Sequence, residues 1–298
     1  MRSLHKKDCD ADMSVSMHLP REAIDVVWRF FDAVIEDDTL ALASLLVPNS
    51  DAALMRELFG TPALIAASGM LRGPCIIRIG RLLSLEGCIW LEGEQVSSES
   101  GETVGYVVFR VEPFGDRWRI SEILPWRLEA VHYIAERPDP MTDNSVAIML
   151  LSVGLSISPS AHLDAVEQRL VETMRNDHYP VTVITRAVRM WRDFKNVSDV
   201  GTHSEGAWAA AIQRATTLLC LLDEPIEQFA LAYGVEVSEA RRAYNELINT
   251  LGITYFDERY SPIPDPNELI RHAKRMGAME DVELMEHEML PEEPEDMA

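Results

Sequence analysis

Four consecutive runs, CIIRIGRLLSL, CIWLEGEQVSS, ETVGYVVFRVEPF and DRWRISEIL, constrain the fold of this chain more than any other feature. Each is short and rich in β-branched and aromatic residues, and turn-prone groups separate them at Glu86–Gly87, Ser98 to Gly101 and Phe114 to Asp116. Connections this short cannot hold a crossover helix, so they predict consecutive antiparallel strands. Ahead of them, residues 20–47 read as a long amphipathic helix, or as two with a break at Glu36–Asp38. Ile24, Val27, Trp28, Phe31, Val34 and Ile35 fall at helical spacing and predict one buried face. Pro48 ends that pattern, and Ala52 to Phe59 suggests another short helix before Gly60 and Pro62. Helices followed by a meander predict an α+β layer over residues 20–127, with the helices on one face of the sheet.

The opening helix AIDVVWRFFDAVIEDDTLALASLLVP and the closing GDRWRISEIL resemble the nuclear transport factor 2-like (SnoaL-like) fold. The resemblance implies a curved antiparallel sheet wrapping a conical pocket, and often a homodimer through the outer face of the sheet. It implies no single function, because that fold hosts isomerases, hydrolases and non-catalytic interaction modules. Pocket chemistry there would need an acid or base held in an apolar cavity. Asp32, Tyr106 and Glu122 are the candidates of suitable type. Against them, Asp32 falls toward the helix edge, Tyr106 is an ordinary strand residue, and Glu122 alternates outward from Ile123. No histidine lies between His18 and His132, which removes the commonest general base.

Residues 128–160 read as a connector, since ERPDPMTDN is polar and proline-rich while the following Ser145 to Ile157 is apolar enough to dock. Residues 161–256 read as helical throughout. Within them, Pro225 to Ile253 (PIEQFALAYGVEVSEARRAYNELINTLGI) has the pattern of a helix-turn-helix centred on Gly234. Phe229, Ala230, Tyr233, Val235, Ala240 and Ala243 take its inward positions, Ser238 is the expected N-cap of the second helix, and Gly252 its expected end. The preceding GTHSEGAWAAAIQRAT resembles an element of cyclin-box domains such as the repeats of transcription factor IIB. The positions that carry the likeness are Gly201, Ser204, Trp208 and Ala209 to Ala211, then Arg242, Tyr244 and Leu247. The resemblance spans one five-helix repeat and implies an all-α cyclin-like domain after the α+β one.

Charge decides how that unit is read. The chain carries 27 basic and 49 acidic side chains, a net −22. Ser238, Arg241 and Arg242 are the residues a DNA reader would present to a groove. Glu236, Glu239 and Glu246 lie on or beside the same helix, and no segment has the basic surplus behind sequence-independent nucleic-acid affinity. The expectation is therefore a non-enzymatic regulatory or adaptor protein acting through a protein partner, itself basic, with a DNA-binding regulator and a pocket enzyme as alternatives. Trp191 and Trp208 are read as core anchors rather than stacking platforms. The four cysteines form no CxxC pair and the eight histidines are scattered, so no metal and no cofactor is expected. Nothing reads as a membrane span or an export signal, and a cytoplasmic location is expected. Residues 1–19 are expected to be disordered; in the acidic tail, 257–298, Pro266 to Met276 reads as one short helix and Glu280 to Ala298 as disordered or a docking segment.

Overall fold

The computed structural model describes residues 21–68, 75–85, 87–124, 155–201 and 203–261. Residues 1–20, most of the expected connector (125–154) and the acidic tail from 262 lie outside the described residues. Among those described, a four-stranded antiparallel sheet and nine helices make a mixed α+β molecule with a helical C-terminal region.

Helix α1 (Arg21–Ile35) is followed by a sharp break at Glu36–Asp38. Asp37 has a positive φ of 54°, and Asp38 caps α2 (Thr39–Leu45) by accepting from the backbone N–H groups of Leu40 and Ala41. A side chain that can cap the second helix is what makes two helices of this run rather than one. The buried face of α1 is rotated from the expected one. Val27, Phe31 and Val34 are buried, but Trp28 and Ile35 are 37% and 53% exposed, and Ala23, Val26, Phe30 and Ala33 take their place. Apolar residues cover so much of this helix that the sequence leaves its orientation open. Packing decides it: Phe30 and Phe31 meet Phe109 of the sheet edge-on, with ring centroids 5.6 and 5.5 Å apart.

Strands β1 (Cys75–Leu85), β2 (Cys88–Ser97), β3 (Thr103–Phe114) and β4 (Arg117–Leu124) pair in chain order, as their short connections predict. Helices α1, α2, α3 (Asp51–Phe59) and α4 (Thr61–Ala67) all pack against the edge strand β4. Leu46 also bridges Ile120, with Val47 N–H donating to the Ile120 carbonyl at 2.9 Å. Arg110 pairs with Glu122 and Val111 with Ile120, which leaves Ser121 as an extra residue in β4. This bulge places Ile120, Val111, Phe109 and Ile123 in the apolar core and turns Glu122 away from it.

The helical region comprises α5 (Ala165–Asn176), α6 (Val181–Val197), α7 (Glu205–Leu219), α8 (Ile226–Tyr233) and α9 (Val237–Leu251). Helix α7 is central and touches each of the other four. Its Gly206, Ala207 and Ala209 to Ala211 are buried, and such small side chains let neighbouring helices come close. Trp191, Phe194 and Trp208 form one aromatic cluster, with ring centroids 4.7 to 5.8 Å apart. Both tryptophans are therefore core anchors, as expected.

The apolar cores of the two halves are continuous. Helix α3 packs on α6, Ser158 N–H donates to the Leu58 carbonyl at 2.7 Å, and Leu155 and Ile157 sit partly buried against the core. The described end of the connector is thus docked. Residues 254–261 then return from α9 to α6, where Tyr260 is buried and its hydroxyl donates to Asp193 at 2.9 Å.

Candidate functional site

Two places bring polar side chains together. The first is the seam between α3, β4 and α6. Arg186 is only 5% exposed and lies within the apolar run VTVITRAVRM. Its Nε donates to Asp51 at 2.9 Å, a terminal nitrogen pairs with Glu122, and the other donates to the Ser261 carbonyl. One helical turn on, Arg189 donates to the second Asp51 oxygen at 2.8 Å and to the Asn49 carbonyl at 3.2 Å. A further turn on, Arg192 bridges Glu57 and Glu167 at 3.0 Å each. Glu167 in turn completes the capping box of α5 with Asp164. Those carboxylates hold the Arg192 guanidinium protonated against the opposing effect of its burial. Beside this network lies a cleft of about 750 Å3, lined among others by Arg110, Glu112, Ser121, Asp193 and Arg259.

The sequence-derived pocket candidates separate. Asp32 lies on the exposed side of α1, Tyr106 is half-buried on β3, and of the three Glu122 alone lines the cleft. Glu122 does turn away from Ile123, but that direction leads under α6 and not to water, and its side chain is 6% exposed. The sequence could not anticipate a covering helix 60 residues downstream. Phe30, Phe31 and Phe109 fill the space between α1 and the sheet. The buried thiol of Cys88 and the partly buried thiol of Cys220 are pushed up by desolvation, that of Cys220 to about 12, which disfavours the nucleophilic thiolate.

The second place is the helix-turn-helix. Gly234 closes α8 in the left-handed region (φ 67°, ψ 39°), where a side chain would be strained, and Val235 N–H returns to the Ala230 carbonyl at 2.9 Å. Phe229, Ala230, Tyr233, Ala240 and Ala243 are buried and Val235 is partly so, matching the expected inward set. Gly252 closes α9 as expected. Ser238 is not the N-cap. The helix begins two residues earlier than its hydroxyl suggested, so Glu236 takes the capping position and Ser238 lies exposed in the first helical turn.

The acidic residues of α9 have structural work that the sequence did not reveal. Glu239 accepts from Ser204 N–H at 2.7 Å, while Glu246 meets the His203 ring at 3.2 Å. Ser204 itself caps α7. The Ser204 backbone hydrogen bond holds the Glu239 carboxyl below its ordinary value. Below α8, the Tyr233 hydroxyl donates to Gln213 at 2.6 Å, and Gln213 donates to Asp177 at 3.0 Å. Of the DNA-contact candidates, Arg241 is tied to Glu227 at 2.7 Å, and Arg242 projects into solvent.

Between the start of α7 and the turn lies an open groove of about 790 Å3, lined among others by Gly206, Leu231 and Val235. Gly206 is required by close approach. A Cβ there would lie 2.8 Å from Val235 Cγ1 and from an Arg169 terminal nitrogen, and 3.1 Å from the Tyr233 carbonyl. Leu231, 83% exposed, stands on the rim. Ile226, Phe229, Ala230 and Tyr233 form the inward face of α8, so an outward leucine follows from the helical period. The groove itself was not, because its wall comes from α7.

Among the described residues, no group of three or more His, Cys, Asp or Glu side chains is placed to hold a metal ion, and no helix is long and apolar enough to cross a membrane. Comparison of the chain with known family models, with curated proteins and with solved structures gives no match.

Proposed function

We propose that this chain is a non-enzymatic regulatory or adaptor protein whose helical region docks a protein partner. One observation carries the reading: the end of the helix-turn-helix that a DNA reader would lay in the groove is ringed by Glu236, Glu239 and Glu205. Of its arginines, Arg241 is neutralised by Glu227, which leaves Arg242 as one exposed cation against three carboxylates. Phosphate recognition needs uncompensated cations there. In this reading the helical region is a cyclin-like repeat, which accounts for the buried Ala-rich α7 at its centre. The sheet region is a nuclear transport factor 2-like support. The free thiols of Cys88 and Cys220 suit the cytoplasm.

The test is a mobility-shift assay with pooled genomic fragments, run beside affinity capture from the native cells. The expected outcome is no selective shift at physiological salt and one partner captured in near-stoichiometric amount. Sequence-selective shifting that disappears in Arg241→Ala/Arg242→Ala would overturn the proposal in favour of a DNA-binding regulator.

A further inference from the structure

We infer that the groove between the start of α7 and the α8–α9 turn is the docking surface for a foreign basic segment carrying an aliphatic anchor. This rests on the protein-binding reading above and names the surface and the chemistry of the partner.

The floor supplies the anchor site. Gly206 and Ala230 close the floor from below, Val235 stands half-buried on it, and Leu231 extends the apolar surface as a rim standing in water. A leucine this exposed has most of its transfer free energy available to an incoming side chain. At about 790 Å3 the groove is within the range that accommodates a small ligand or a few side chains.

The rim supplies the charge selection. Glu205, Glu236 and Glu239 face one cation, Arg169, so the groove is net acidic. Glu239 spends one oxygen on Ser204 N–H, whereas Glu205 and Glu236 are exposed. An occupant bearing Lys or Arg beside its apolar anchor is therefore attracted, and an acidic one is repelled. A second copy of this chain brings a net −22, and residues 280–298 hold no lysine or arginine. Nucleic acid is repelled for the same reason. The chain's own residues 269–275, with three basic side chains, are a competitor of matching chemistry, and their occupancy of the groove would suppress peptide enrichment by the full chain. The groove is also pre-formed, because Gly206 and the Ser204–Glu239 hydrogen bond fix its walls before anything binds.

Selection from a random dodecapeptide library by the full chain tests this, with parallel selections on Glu205→Lys/Glu236→Lys and on Leu231→Ser. All three positions are exposed, and thermal unfolding monitored by circular dichroism confirms that each variant is folded. The expected result is enrichment of peptides pairing Lys or Arg with Leu, Ile, Val or Met. A labelled winner should bind the charge-reversed variant at least tenfold more weakly and Leu231→Ser severalfold more weakly, with the loss in the first mimicked by raised salt. Enrichment of acidic peptides, or of peptides indifferent to both variants, overturns the groove assignment and leaves the protein-binding reading standing. No enrichment at all overturns docking of a foreign segment there, and the mobility-shift assay then decides whether the broader reading falls too.

Discussion

The interior of the helical region and the seam that joins it to the sheet region are held by opposite means. Around α7 the contacts are apolar and aromatic, with Trp191, Phe194 and Trp208 buried in a shell of small side chains. At the seam, successive turns of α6 present Arg186, Arg189 and Arg192 to Asp51, Glu122, Glu57 and Glu167. Burial of apolar surface is non-directional and supplies most of the stability. Ion pairs between desolvated groups contribute little net free energy but penalise every arrangement in which a charge loses its partner. Hydrophobic area holds each half and runs on between them, while a few charged side chains at the seam penalise every wrong placement of one half on the other.

Substitutions can break that comparison, and the largest effect belongs to the apolar side. Trp208→Ala removes a fully buried indole from the aromatic cluster, and a loss of about 3–5 kcal/mol is expected in urea unfolding. Arg186→Met should follow closely, at about 3–5 kcal/mol, because it strands the Glu122 carboxylate under α6. The sharper experiment adds Glu122→Leu to that variant. Asp51 keeps Arg189, no charge is orphaned, and most of the loss should be recovered. If the double variant were as unstable as the single one, the pairs would be worth more than their desolvation and the comparison would fail.

Gly206→Ala is expected to cost about 1–3 kcal/mol, because the added methyl group meets Val235 and the Tyr233 carbonyl. A smaller effect is expected at the water-facing end of the seam. Glu57→Gln should cost no more than about 1 kcal/mol, with a difference that shrinks as salt is added, since this pair is partly exposed.

The least effect concerns pH. Asp164 is held low although its own desolvation acts the other way. The Glu167 backbone N–H, Lys195 and Trp191 hydrogen bonds together outweigh that burial. Glu239 is held low by Ser204. Both carboxyls have folded values below their unfolded ones, so their contribution is present above the ordinary carboxylate range, about pH 4, and is lost as pH falls through the lowered values. Unfolding midpoints followed downward from about pH 5 should therefore decline, and Glu239→Gln should flatten part of that decline.

Much of this was legible along the chain. The meander, the break at Glu36–Asp38, the helical C-terminal region and the Gly234 turn all depend on residues near one another in sequence. Periodicity, capping oxygens and positive φ act over a few residues, so a one-dimensional reading reaches them. The buried face of α1 was less legible, since Trp28 and Phe30 are both apolar and only docking on Phe109 distinguishes them. The Arg186 hub left a faint signal, an arginine inside an apolar helical run, but its partners lie 135 residues earlier at Asp51 and at Glu122 in β4.

The sequence by itself determined the secondary elements apart from α4, their order, the antiparallel pairing and the acidic character that argues against phosphate as a ligand. The tertiary structure alone decided that Glu122 is buried beneath α6, that Glu239 and Glu246 tie α9 to the start of α7, and that Leu231 borders a groove. The reason is physical. Local geometry is set by backbone sterics and neighbouring side chains, whereas the value of a charge or an exposed leucine depends on what the rest of the fold brings beside it.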